Sequence, residues 1–479
     1  MSLLLKQPLK NITRYCLLPF LICILYTSCK KDGFTTAPDA KIFLSADTLK
    51  YDTVFTTRGS ITQAFKINNT NSQKLLLSTV KLMGGNSSEY KINVNGVAAQ
   101  EVNDIEIAAN DSMYVFVTVN INPTAANLPF IVRDSILVTY NGNNRYVQLE
   151  AFGQNAHFLR NEIIKNNTTW TDDLPYVILG GIQVDTGVRL TINEGCKIYC
   201  NAAAPVLVDG TLTINGSKEK PVVFTGDRLD EDYRDFPASW PGIYFRGTSK
   251  NSIFNFTTIK NAYQAVAVQG APDNNNPKLR LHQCIIDNAY DAGLICVNTV
   301  VFADNTLISN CGSNINIILG GAYDFTHCTV AAYSTYITHK KPVLTASNFA
   351  EIDGTVYKAD LTAYFTNCIF WGEDGNVKDE IDLKKDAANK FDVLFDHCLY
   401  KAENELPLAP AALTGSIRNQ APLFDSLDVT KNYFDFRFTK NGGPAIDAGN
   451  TATQPSFPRD LDDRLRTDGK PDIGCYEKQ

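Results

Sequence analysis

From residue 157 onward, one short phrase of apolar and polar positions recurs. An aromatic residue or Leu is followed by two residues, a Cys or small polar residue, one residue, and an apolar residue. The copies are Phe254 to Ile259, Leu281 to Ile286, Phe302 to Leu307, Phe325 to Val330, Phe365 to Phe370 and Phe395 to Tyr400. Their first positions are 27, 21, 23, 40 and 30 residues apart. A repeat of this length built from short strands is one coil of a solenoid, because a single coil cannot bury its own apolar side chains. Cys328 and Val330 share a strand face, whereas Phe325 would point away from a straight strand. A bend before the Cys brings all three inward. The spacing therefore predicts an inward column that includes Cys284, Cys328, Cys368 and Cys398, and a polar bend residue at Gln283, Asp304, His327, Asn367 and His397. The longer steps predict insertions around 332–362 and 371–392, leaving the solenoid as loops.

Residues 39–155 follow a different pattern. Ala64–Asn68, Tyr90–Val94, Met113–Val119 and Asp134–Tyr140 alternate apolar and polar positions, punctuated by Asn, Gly and Ser. This predicts an antiparallel β-sandwich with one wet face per sheet. The segment's order of strands and Asn-rich turns resembles immunoglobulin-like modules of the spindle/Hydin type, which implies a spacer or docking module. Further on, Ile182–Ile198, Val206–Ser217, Pro221–Thr225 and Trp240–Phe245 resemble the opening coils of bacterial right-handed parallel β-helix proteins. The implied fold class is all-β, a right-handed parallel β-helix over 157–440 preceded by the sandwich. At the C-terminus, Gly443–Gly449, Asp460, Asp463, Arg464 and Asp472–Glu477 resemble the choice-of-anchor Q region of bacterial surface proteins, with Cys475 where Ala is usual. Residues 441–479 are expected to cap the last coil.

The chain's first residues change the picture of its location. Lys6, Lys10 and Arg14 precede an apolar run, Tyr15–Tyr26, that is too short to span a bilayer. Leu25-Tyr-Thr-Ser-Cys29 resembles a bacterial lipobox, with Tyr26 in a place usually held by a smaller aliphatic residue. That implies a signal peptide at 1–28, lipidation of Cys29, and a tether over 29–38 joining an outer-membrane anchor to the fold. Removing residues 1–28 takes the formal charge from −7 to −10, which argues against nucleic acid as a partner. Twelve Cys less the three at 16, 23 and 29 leave an odd number without CxxC spacing, so neither a disulfide framework nor a zinc site is expected. They read as small buried hydrophobes.

Candidate chemistry is sparse. Asp227, Asp230, Glu231, Asp232 and Asp235 lie within nine residues and could bind calcium or a substrate, or form a solvated loop. The Asp-rich stretch 460–472 fits an Asp–Arg-bonded cap better than a calcium site. Lys340 and Lys341 beside His339 could contact an acidic sugar or stand in solvent. His282, His327 and His397 read as turn residues of separate coils. Tyr233, Phe236, Trp240, Tyr263, Tyr290, Phe370 and Trp371 could stack on a sugar or fill the core. No nucleophile triad or phosphate loop is present in the sequence.

The function expected from these features is a non-catalytic cell-envelope lipoprotein whose β-helix binds a polysaccharide or a surface protein. A polysaccharide lyase or hydrolase acting on an acidic polysaccharide is the alternative, and a structural envelope component is the third. The anchor is directly testable. Labelled palmitate should enter the wild-type protein and not Cys29→Ala; equal incorporation would refute lipidation at this residue.

Overall fold

The computed structural model describes residues 33–56, 59–123, 130–231, 233–333, 335–373, 376–438, 442–466 and 469–478. Cys29, the signal segment and Asp232 lie outside the described residues. The chain forms two units, one ending at Gln154 and the other starting at Asn155.

The first unit is a sandwich of two five-stranded sheets. One contains β1 (Ile42–Leu44), β3 (Gln63–Asn69), β8 (Ser112–Val119), β5 (Tyr90–Val94) and β6 (Val97–Ala98) in that order. The other contains β2 (Thr48–Phe55), β10 (Asn143–Gln154), β9 (Phe130–Tyr140), β4 (Leu75–Leu82) and β7 (Glu101–Ile107). Alternation decides the packing. Phe65, Ile67, Val115 and Val117 from one sheet and Leu77, Val80, Ile136 and Val138 from the other fill the space between them. Most pairings are antiparallel, and β10 runs parallel to β2.

The second unit is a parallel β-helix. Its continuous sheet of 25 strands winds through three faces. Crossovers of this kind are right-handed in nearly all proteins. On the first face the strand register stacks Trp170, Ile192, Ile214, Phe254, Leu281, Ala303, Phe325, Phe365 and Phe395 in one column. On the second, Ile198, Phe224, Ile259, Ile286, Ile308, Val330, Phe370 and Tyr400 do the same. The third stacks Ile182, Val206, Ile243, Val266, Leu294, Ile315, Leu344 and Ile381. These columns form a single apolar core.

The corner between the first two faces explains the recurring phrase. Phe256, Gln283, Asn305, His327, Asn367 and His397 all adopt positive φ, between 41° and 54°. This bend turns Phe325, Cys328 and Val330 to the same interior, each with 0% exposure. The structure corrects the third copy by one residue. Ala303, not Phe302, stacks between Leu281 and Phe325, and Asn305, not Asp304, makes the bend. Phe302 instead faces outward under the Arg280 guanidinium, 5.3 Å from its ring centre. The bend is apolar in the first copy, at Phe256. His282 precedes the bend and pairs with Asp304 at 2.5 Å, so only His327 and His397 are bend residues.

The residue after the bend needs a small donor. Cys368 Sγ donates to the carbonyls of Phe325 and Thr366, both at 3.3 Å. Cys284, Cys328 and Cys398 make the same pair of contacts one coil back and two residues back. Thr306 and Ser416 hold the slot in other coils, and each donates to the carbonyl two residues before it. The Cys column is therefore core packing and also a row of hydrogen-bond donors.

The expected insertions are only partly loops. Strands Leu344–Ser347, Leu361–Thr366 and Ile381–Lys384 are regular coil strands. What leaves the solenoid is the segment around 335–343 and the hairpin of strands Phe349–Ile352 and Thr355–Lys358.

The C-terminal segment does not cap the last coil. Leu406, Leu408 and Leu413 pack against the end of the core. Residues 442–466 and 469–478 instead run back along the bend corner as a strap. Ala445, Leu461, Ile473 and Cys475 pack on Leu307, Ala331, Ile369 and Leu399 from four coils. The bend side chains bind it: Gln283 donates to the Asp460 carbonyl at 2.5 Å, Arg466 donates to Asn305 at 3.0 Å, and Asn367 accepts from the Asn450 amide at 2.6 Å. Because these side chains point outward from the bend, they must find partners beside the solenoid rather than beyond its end.

Stability should follow this division. Phe365→Ala should cost about 3–5 kcal/mol, because it removes a ring stacked between Phe325 and Phe395. Cys368→Thr should cost no more than about 1–2 kcal/mol, since the hydroxyl can donate as Thr306 does. Denaturant midpoints measure both; equal losses would refute the donor role.

Candidate functional site

Among the described residues, the corner between the second and third faces carries the only candidate side chains from separate loops that the fold brings together. In three successive coils this corner is tight and is formed by Asn261, Asn288 and Asn310, all at positive φ. Short polar side chains tolerate that conformation and satisfy the turn. Asn288 Nδ2 donates to Asn261 Oδ1 at 2.9 Å and to the Asp235 carbonyl at 2.8 Å. Asn261 donates to the Arg234 carbonyl at 2.7 Å. The ladder thus fixes the loop before Trp240 onto the coils below it.

Two longer loops leave the solenoid at the same corner, one around 227–239 and one around 335–343, on either side of the three tight turns. They meet through Phe236 and Tyr336, whose rings are edge to face at 4.8 Å. Tyr233 packs edge-on to Phe236 at 5.4 Å and lies under the Arg228 guanidinium, 3.9 Å from its carbon. Lys341 reaches Asp291 at 3.4 Å. Beside that contact, Tyr263 and Tyr290 from consecutive coils stack with ring centres 5.8 Å apart. These aromatics are open to solvent, with Tyr263 45%, Tyr290 53% and Tyr336 52% exposed.

Between the loops lies a polar cleft of about 290 Å³, lined by Asp235, Lys260, Asn261, Asp287, Asn288, Tyr336, Lys431 and Asn432. Asp287 accepts from the Ser309 hydroxyl at 2.7 Å. Burial raises its carboxyl above the ordinary value, partly offset by the Ser309 hydrogen bond and by Lys260. Lys260 approaches Asp235 at 4.0 Å. The cleft therefore offers cationic donors and anionic acceptors beside the exposed Tyr336 ring.

The remaining candidates separate. Asp227 accepts from Asn201 at 3.0 Å, and Asp230 is held by both arms of Arg228 at 2.8 and 2.7 Å. Glu231 is exposed. Only Asp235 of the described acids in this loop reaches the cleft, so the loop does not present a converging carboxylate set. Among the described residues no group of three or more His, Cys, Asp or Glu side chains is placed to hold a metal ion. In the strap, Asp460 accepts from the amides of Arg464 and Glu477, and Asp472 from those of Asp447 and Lys478. Lys340 lines a separate cleft with Lys378, Asp379 and Asp382. His339 is buried and bound to buried Glu380 at 2.9 Å, where it holds the base of the 335–343 loop. Trp240, Phe370 and Trp371 are core residues. Tyr336, Asp287 and Asn288 were missed from the sequence. An Asn recurring at the second corner of three successive coils was the available signal.

Residues 162–275 match the model of a pectate-lyase-like β-helix domain. No curated protein matches the chain. Solved structures with partial likeness include a family 123 glycoside hydrolase from Clostridium perfringens, 14% identical, covering 24% of this chain and 26% of that one, with a TM-score of 0.17. Another is the PapD-like domain of human CEP192, 7% identical over 26% of this chain and 89% of that one, with a TM-score of 0.18. The chain thus spans about a quarter of the length of the hydrolase, and overlaps this limited say nothing about the site.

The Phe236–Tyr336 contact should hold the basic loop down. An edge-to-face aromatic pair is worth about 0.5–1.5 kcal/mol, so Tyr336→Ala should raise the open fraction of the loop by roughly 2- to 12-fold. Tryptic cleavage after Lys340 should accelerate by that factor while the thermal midpoint holds; an unchanged cleavage rate would refute it.

Proposed function

We propose that the protein is a non-catalytic cell-envelope lipoprotein, anchored through Cys29, whose β-helix captures a glycan at the corner between the two loops. The observation that carries this reading is the polar cleft of Asp235, Lys260, Asp287 and Asn288 with the exposed Tyr336 in its lining, together with the exposed, stacked rings of Tyr263 and Tyr290 on the coils that carry Asn261 and Asn288. Ring faces match the C–H faces of pyranoses, and the cleft groups match their hydroxyls. A sugar chain laid along successive coils would meet Tyr290 and Tyr263 in turn. The cleft is too small and too polar to seat a protein's apolar anchor.

The second reading is a polysaccharide lyase or hydrolase. The family match supports it, as does the half-buried Asp287 carboxyl, which desolvation raises above its ordinary value beside Lys260 and Asp235.

Calorimetric titration of the full chain with a panel of neutral and acidic oligosaccharides separates the two. At least one should bind, and Tyr263→Ala/Tyr290→Ala should weaken it by about tenfold, the combined value of two aromatic contacts. New reducing ends or unsaturated uronate, abolished in Asp287→Asn, would replace the binding reading with the catalytic one. Binding to no glycan would overturn both.

A further inference from the structure

The sandwich has a face that nothing in the β-helix reading uses. The outward side of the sheet β1-β3-β8-β5-β6 bears Phe43, Tyr114 and Phe116, exposed by 59, 44 and 41%. Tyr114 and Phe116 are two apart on β8, so both point outward, and their rings lie near-parallel at 5.6 Å. A wet sheet face is ordinarily polar, and grouped aromatics there mark a contact surface.

Charge on this sandwich is segregated. The five strands of this sheet contain no Asp or Glu, whereas those of the other contain Asp52, Glu101, Asp104, Glu106, Asp134 and Glu150. The other sheet pairs some of its charges across strands, Arg133 with Glu150 and Lys81 with Glu101, both at 2.9 Å. On the aromatic face the charged side chains are lysines. Lys66 Nζ sits 4.8 Å from the centre of the Tyr114 ring. Lys91 borders a hollow of about 300 Å³ with Thr62, Asn93, Phe116 and Thr118. In a chain with 51 acidic and 44 basic residues, a cationic aromatic face is a local reversal of sign.

We propose that this face is a second binding site, independent of the β-helix corner, for an acidic polysaccharide built of uronate residues. Tyr114 and Phe116 would stack on the sugar rings. Lys66 on β3 and Lys91 on β5 flank the aromatic strand β8, being opposite Tyr114 and Thr118 in register, and would pair with uronate carboxylates on either side. Asn93 and Thr118 offer hydroxyl partners. An anionic lipid surface shares the charge preference, but it favours a protruding apolar edge, and this patch is a sheet face with Asn and Thr set among its rings.

Affinity electrophoresis of the full chain through gels containing polygalacturonate, with amylose as the neutral control, tests the proposal. Polygalacturonate should retard the wild type, and added salt should abolish the retardation. Tyr114→Ala/Phe116→Ala and Lys66→Glu/Lys91→Glu should each weaken binding at least tenfold, whereas Tyr146→Ala, at an exposed ring on the other sheet, should leave it unchanged. All substituted side chains are at the surface, and an unaltered thermal midpoint identifies variants that remain folded. The proposal is overturned if the wild type is not retarded, or if folded variants of the sandwich are retarded like the wild type. Loss confined to the Tyr263/Tyr290 variant would place all acidic-glycan binding at the β-helix corner and remove this site. Binding to phosphatidylglycerol vesicles, lost in the sandwich variants and without polygalacturonate retardation, would make the face a membrane surface instead.

Discussion

A coil of a parallel β-helix sends its backbone hydrogen bonds to the coils above and below it, so none is stable alone and all must share one register. The left-handed residue at the first corner sets that register. At Gln283, Asn305, His327, Asn367 and His397 it reverses the strand's side-chain alternation and turns the residues on both sides inward. An ordinary L residue pays a small steric cost there. The following Cys, Thr or Ser offsets it by donating to carbonyls that the bend leaves exposed. The variable length of the coils is tolerated because insertions fall between these fixed points.

The same bend has a lateral consequence. Its polar side chains project from the solenoid, and buried amides without partners are costly. The C-terminal strap supplies those partners and covers the outward apolar residues Leu307, Ile369 and Leu399. Arg466 is fully buried, paired with Glu477 at 2.5 Å and donating to Asn305 at 3.0 Å. Removing either partner of a pair this deeply buried would leave an uncompensated charge inside the protein, so the strap is held to the position in which both are paired. The strap thus ties separate coils into one unit along a line that the strand ladder does not restrain.

The candidate glycan corner is free of both duties. It needs only a short polar residue in each tight turn, so loops can be inserted without disturbing the core. That freedom explains why the acidic and basic loops emerge at one corner and why exposed rings collect there. In the sandwich, the separation of acids onto one sheet gives the opposite face a sign that the chain's net charge conceals.

The sequence by itself determined the solenoid, the sandwich and the inward Cys column, because period and alternation follow from strand geometry alone. It placed the third repeat one residue early because Phe302 fits the phrase as well as Ala303 does; only vertical pairing with Leu281 and Phe325 decides between them. It could not separate the buried Trp240, Phe370 and Trp371 from the exposed Tyr263 and Tyr290, since all are aromatics near turns. The strap's lateral course, the joining of Phe236 to Tyr336 across three coils and the burial of His339 against Glu380 were decided by tertiary structure. Each is a contact between segments distant in sequence, and local pattern carries no information about which distant segment will arrive.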